Sequence, residues 1–182
     1  MRPRSLYAGR VPSQQPGPPA LDWSVDNCTL GRTMAILGER WTVVVLREVF
    51  LGVRRFDDIR RHAGVPRQVL TNRLATLVNQ GLLHKVPYRD EGTRTRHEYR
   101  LTDRGLELQP ILLAISQWDD RHLADPDGPP TVFVHRDCEE PLQLQICCAG
   151  GHRLASPREV ATRPGPGARP FADGQARERA SR

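Results

Sequence analysis

The chain has 182 residues, 38% of them hydrophobic and 26% charged, which gives room for one principal domain with its own core. No apolar run approaches the roughly 20 residues needed to cross a bilayer and no apolar leader opens the sequence, so membrane insertion and export are not expected and a cytoplasmic location is. The formal net charge of +6 favours an anionic partner, and it is concentrated: residues 52–100 hold eleven Lys or Arg against five Asp or Glu, a net +6 in that stretch alone.

Residues 1–20 are rich in Pro, Gly, Gln and Arg without apolar periodicity and read as a disordered tail, as do residues 163–182. Between them the pattern predicts a principal domain over 21–124, a linker at 125–130 (Asp-Pro-Asp-Gly-Pro-Pro) and a small appendage over 131–162. Leu30, Met34 and Leu37 stand at helical spacing and predict a helix over 28–37. Residues 41–51 are apolar almost all round, apart from Thr42, Arg47 and Glu48. The run Val43-Val44-Val45 has strand propensity, so periodicity alone leaves a buried strand open here beside the helix that we expect. Gly52 ends that element, and Phe56 and Ile59 then share one face of a short helix that turns Asp57, Asp58, Arg60 and Arg61 outward, with Gly64 supplying the turn.

Pro66 suits the first position of the next helix, because its φ is already helical and its missing N–H would be unpaired there. Leu70, Leu74 and Leu77 form its apolar stripe, and Gly81 is a stop. Residues 82–88 and 98–101 read as two strands joined by a loop over 89–96, a wing. Thr102 can cap a following helix toward Leu123, with Asp103 in its first turn, and Pro110 demands a kink or a restart within it. Ile111, Ile115 and Trp118 continue an apolar face larger than one small domain needs. With the apolar positions before Trp41, it supplies material for a two-fold interface.

The expected class is therefore α+β, mainly α: a winged helix-turn-helix with flanking dimerisation helices. In such a fold the second helix of the pair enters the major groove of double-stranded DNA. Rotating about 100° per residue away from the Leu70 direction places Gln68, Thr71, Asn72, Ala75 and Asn79 on its outward face. Gln and Asn pair bidentately with adenine, Thr bonds several bases, and a methyl can touch that of thymine. Arg67 and Arg73 flank this face and suit phosphates, with Arg67 also within reach of guanine. Arg54 and Arg55 precede the first helix of the pair, while Arg89, Arg94 and Arg96 in the wing could meet phosphates or a narrow minor groove. A winged-helix module that binds only protein is the alternative, and it would lack the steep salt dependence of phosphate contacts.

Taken together, Cys28, Gly38-Glu39-Arg40-Trp41-Thr42, Gly52-Val53-Arg54-Arg55-Phe56-Asp57, Leu70-Thr71-Asn72-Arg73-Leu74 and Tyr99-Arg100-Leu101-Thr102-Asp103-Arg104-Gly105 stand in an order and at a spacing that resemble the HxlR family of bacterial transcriptional regulators. The resemblance covers roughly residues 27–123 and implies that 41–51 is helical. It also implies a homodimer joined through its first and last helices, bound to a palindromic operator and more often a repressor than an activator. It further implies an oxidant or electrophile response through Cys28, whose chemistry would need a thiolate, favoured by a helix amino terminus or by Arg32. The alternative for Cys28 is a small buried hydrophobe.

His135, Cys138, Cys147, Cys148 and His152 cluster beyond the linker. Chains that this one resembles carry a Cys-x2-Cys ribbon there, but the expected second Cys is Gly150 and the pair is Cys147-Cys148. Zinc accepts mixed Cys and His ligands, so these five remain candidates for a zinc site, against reduced bystanders in a short β appendage. No other cofactor is expected. The remaining His residues are scattered and neither a Gly-rich phosphate loop nor a Ser, His and acid motif occurs, so an enzyme is not expected.

Overall fold

The computed structural model describes residues 24–89 and 95–169, and it divides into two compact units, Leu30–Val160 and the pair Met1–Thr29 with Ala161–Arg182. The expected tail over 1–20, the tip of the wing at 90–94 and the last residues, 170–182, lie outside the described residues. In the second unit the amide of Ser24 donates to the carbonyl of Arg169 at 2.8 Å, and the side-chain amide of Asn27 donates to that of Gly167 at 2.6 Å.

Helices dominate the larger unit. α1 (Thr29–Leu37) buries only Leu37, while α2 (Arg40–Phe50) buries Thr42, Val45, Leu46, Glu48 and Val49. The three-valine run is helical because packing of α2 against the helices that follow outweighs its strand preference. α3 (Phe56–Ala63) buries Ile59 and ends at Gly64, whose φ of 67° lies in the left-handed region. Its acidic first turn, Asp57 and Asp58, and basic last turn, Arg60, Arg61 and His62, both oppose the helix dipole.

α4 (Arg67–Asn79) seats Leu70, Leu74 and Leu77 in the core. Pro66 is its N-cap rather than its first helical residue: φ is −59° as expected, but ψ is 139°, which lies outside the helix. The amides of Gly81 and Leu82 close the far end onto the carbonyls of Val78 and Leu77, each at 2.9 Å, a Schellman arrangement with Gly81 at φ 66°.

β1 (Leu83–Tyr88) and β2 (Arg96–Leu101) pair antiparallel, from Leu83 opposite Leu101 to Tyr88 opposite Arg96. The second strand therefore begins two residues earlier than the pattern suggests, and Arg96 belongs to the strand instead of the loop. An isolated bridge joins Arg55 to Glu98, and the Tyr99 amide donates to the Arg54 carbonyl at 2.8 Å, so the segment before α3 is tied to the wing.

Thr102 caps α5 (Asp103–Leu106), accepting from the Gly105 amide at 3.0 Å while its hydroxyl donates to the Gly81 carbonyl at 2.6 Å. Pro110 is accommodated by a restart, since α6 (Gln109–His122) opens with it in the first turn, where no N–H is missed. After α6 the chain makes two tight turns, closed by single bridges between Val134 and Pro141 and between Cys147 and Arg153, and then a 3-10 turn at Pro157–Glu159. The Gln117 side chain holds this segment to α6, donating to the Leu142 carbonyl at 2.7 Å and accepting from the Leu144 amide at 3.1 Å.

One core joins α2, α3, α4 and the start of β1, with Leu46, Ile59, Leu70, Leu74, Leu77 and Leu83 fully enclosed. Glu48 is buried in this core, and its carboxylate is met by Arg47 and by His62 Nδ1 at 2.5 Å, which couples α2 to the end of α3. No helix among the described residues is long and apolar enough to cross a membrane.

Candidate nucleic-acid interface

With three leucines of α4 fixed inward, Gln68, Thr71, Asn72, Ala75 and Asn79 are all exposed. Two of them are already ordered. The Gln68 amide nitrogen donates to Asn72 Oδ1 at 3.0 Å across one helical turn, which leaves the Gln68 oxygen as an acceptor and the Asn72 amide hydrogens as donors. Thr71 donates its hydroxyl to the Arg67 carbonyl at 3.0 Å. The face thus carries donors, acceptors and small groups without a charge.

The arginines stand around it. Arg67, at the start of α4, lies over the Phe56 ring at 5.5 Å, and Arg55 lies over the Tyr88 ring at 4.2 Å. Such stacking holds a guanidinium in one orientation. Phe56, Asp57, Arg67, Tyr88, Arg96 and Tyr99 line an open groove between the start of α4 and the wing. Arg96 reaches Asp57 at 3.6 Å across that groove. Burial raises the Tyr99 phenol above its ordinary pKa, so at neutral pH it is an uncharged group among these cations.

Arg54 is exposed before α3, Arg89 is exposed directly after β1, and Arg73 is half-buried on the flank of α4. Arg94 lies outside the described residues. The sequence pattern missed Phe56 and Tyr88 as holders of Arg67 and Arg55. Their signal was the aromatic directly after Arg55 and the aromatic at the end of the predicted first strand.

Cys28 stands one residue before α1, half-buried, with its amide donating to the Val25 carbonyl at 3.0 Å. The later cysteines are exposed and fall into pairs with histidines. His135 Nδ1 is 3.2 Å from Cys138 Sγ, and His152 Nδ1 is 3.4 Å from Cys148 Sγ. Cys147 sits in the bridge with Arg153. Among the described residues no three His, Cys, Asp or Glu side chains converge at ion-holding distance.

The model of the HxlR-like helix-turn-helix family matches residues 36–127, which span α2 to α6. The chain belongs to this family. A Mycobacterium bovis HTH-type transcriptional regulator, itself uncharacterized, is 41% identical over 139 residues, covering 76% of this chain and 87% of its own length. The Bacillus subtilis HTH-type regulator YdeP is 27% identical over 106 residues, or 56% of this chain and 81% of YdeP. Among solved structures, the transcription factor PA1607 superposes with a TM-score of 0.66 at 32% identity, covering 76% of this chain and 96% of its own. A second transcription factor, PA1374 from Pseudomonas aeruginosa, does so with a TM-score of 0.53 at 29% identity, covering 84% and 99%. This HxlR-like chain is accordingly a DNA-binding transcription regulator with a winged helix-turn-helix, and its family is one of regulators, not an enzyme class.

Proposed function

We propose that this HxlR-like protein acts in the cytoplasm as a homodimeric repressor that reads a palindromic operator through α4. The observation that carries this reading is the exposed, uncharged polar face of α4 set between positioned arginines. The amides of Gln68 and Asn72 and the hydroxyl of Thr71 suit base edges in the major groove. Arg54, Arg55, Arg67, Arg73, Arg89, Arg94 and Arg96 suit the phosphates on either side and an adjacent minor groove. Dimerisation is supported by the unpartnered apolar faces of α1 and α6, where Leu30, Met34, Ile111, Ile115 and Trp118 are all exposed.

The test is a gel shift with the DNA upstream of the protein's own gene, titrated with salt. Arg73→Ala is expected to weaken binding to every sequence and to lower the salt slope by about 1, because one phosphate contact is lost. Asn72→Ala is expected to cost roughly 1–3 kcal/mol at the operator and little on unrelated DNA. Equal losses on both kinds of DNA for Asn72→Ala would remove the base-reading role, and a binding curve indifferent to salt would favour a protein-binding module.

Cys28 is the proposed receiver of an oxidant or electrophile signal, supported by its place immediately ahead of α1, one of the two helices with an unpartnered apolar face. Modification there would alter the proposed subunit contact and hence the operator complex. In the same gel shift, diamide is expected to release the wild type and leave Cys28→Ser bound. Release of that variant by diamide would transfer the role elsewhere.

A further inference from the structure

The segment after α6 lacks what normally holds a small structure together. None of residues 131–160 is buried, Val132, Val134, Leu144 and Ile146 are exposed, and its only ladder contacts among the described residues are two single bridges. A piece of this size without a core usually needs a cross-link such as a disulfide or a metal. Its cysteines form no disulfide with one another, since Cys138, Cys147 and Cys148 are thiols.

The two turns nevertheless share one design. In the first, the His135 amide donates to the Glu140 carbonyl at 2.9 Å and the Glu139 amide returns to the His135 carbonyl at 2.8 Å. In the second, the Cys148 amide donates to the His152 carbonyl at 2.9 Å and the Gly151 amide returns to the Cys148 carbonyl at 2.9 Å. Each turn contains a residue in the left-handed region, Glu139 at φ 58° and Gly151 at φ 82°. Glycine accepts this without strain, but glutamate does not, and Glu139 is the single non-glycine residue of positive φ among those described. Each turn also brings one imidazole Nδ1 against one thiol, at 3.2 Å and 3.4 Å.

We propose that the two turns are a pair of half-sites for one zinc ion, held by His135 and Cys138 from the first and by Cys148 and His152 from the second. Zinc binds nitrogen at about 2.0 Å and sulfur at about 2.3 Å, so the nitrogen-to-sulfur edge of its tetrahedron is about 3.5 Å. Both observed pairs sit close to that edge length. The ion draws the second pair onto the first, displacing water from zinc, while the two thiols release their protons to solvent and the imidazoles bind neutral through Nδ1. Cys148 is assigned as the ligand in preference to Cys147 because its thiol is the one set against the His152 imidazole.

The full chain, purified without chelator, is expected to contain one zinc per chain by elemental analysis. After exchange with cobalt it is expected to show the visible bands of a tetrahedral centre together with thiolate charge transfer of two-sulfur intensity. Cys138→Ser and Cys148→Ser should each weaken zinc binding by at least about tenfold, with far-UV circular dichroism and operator binding reporting on the rest of the fold. Cys147→Ser and Cys28→Ser should retain the metal. Wild-type protein without stoichiometric zinc and without a tetrahedral cobalt spectrum overturns the proposal. Loss of zinc from Cys147→Ser with retention in Cys148→Ser overturns this ligand set.

Discussion

Gly105→Ala is expected to destabilise the protein by about 3 kcal/mol and to lower its melting temperature by on the order of 10 °C. Gly105 is buried at the start of α5, and an added Cβ would overlap the Leu82 carbonyl oxygen well inside van der Waals contact while standing 3.1 Å from Leu101 Cδ2. That carbonyl has no room to yield. It accepts the Thr102 amide at 3.1 Å and lies 3.3 Å from the Thr102 hydroxyl, so moving it would break the cap that starts α5. Gly64→Ala provides the contrast, since nothing lies within 4 Å of its Cβ and only the left-handed φ of 67° is strained, a cost of about 1 kcal/mol. Thermal unfolding followed by circular dichroism ranks the two variants. If Gly105→Ala melts with the wild type, α5 does not lie against the Leu82 carbonyl.

That contact also shows which parts of the fold the sequence could carry. The stripe Leu70, Leu74, Leu77 announces α4 and its outward face because a strong period leaves one way to bury the leucines, and all three are buried. Thr102 and Pro110 were equally legible, since a cap and an imino acid each act within one helical turn. The position of Pro66 was off by one because its ring fixes φ but leaves ψ open, and ψ decides between cap and first turn. Nothing periodic marks a single bridge, so the tie between Arg55 and Glu98, 43 positions apart, had no local signal. The burial of Glu48 was hidden for the same reason, because its partner His62 stands on another helix. The base-facing residues were therefore readable from α4 alone, whereas the aromatic seats of Arg67 and Arg55 required the wing and α3 to be placed first.

Ile115→Glu is expected to turn the proposed dimer into a monomer and to reduce affinity for the full operator at least about 100-fold. Ile111, Ile115 and Trp118 are 40%, 51% and 53% exposed along α6, and on α1 Leu30 and Met34 are 73% and 49% exposed. Apolar side chains this exposed on two helices are stable in water mainly when a second surface covers them. Two-fold symmetry puts a carboxylate into such an interface twice for each single substitution, so the expected effect on association is large. The monomer itself should be unharmed, because Ile115 lies outside the core and its replacement removes no buried contact there. Operator affinity falls because binding of one α4 no longer holds the second near its half-site, about one helical turn away. Analytical ultracentrifugation should therefore show half the wild-type mass, circular dichroism should show a folded monomer whose melting temperature no longer depends on protein concentration, and a DNA fragment carrying one half-site should bind variant and wild-type subunits alike. A variant that sediments as a dimer would show that the α6 face is covered by something other than a second copy of this chain.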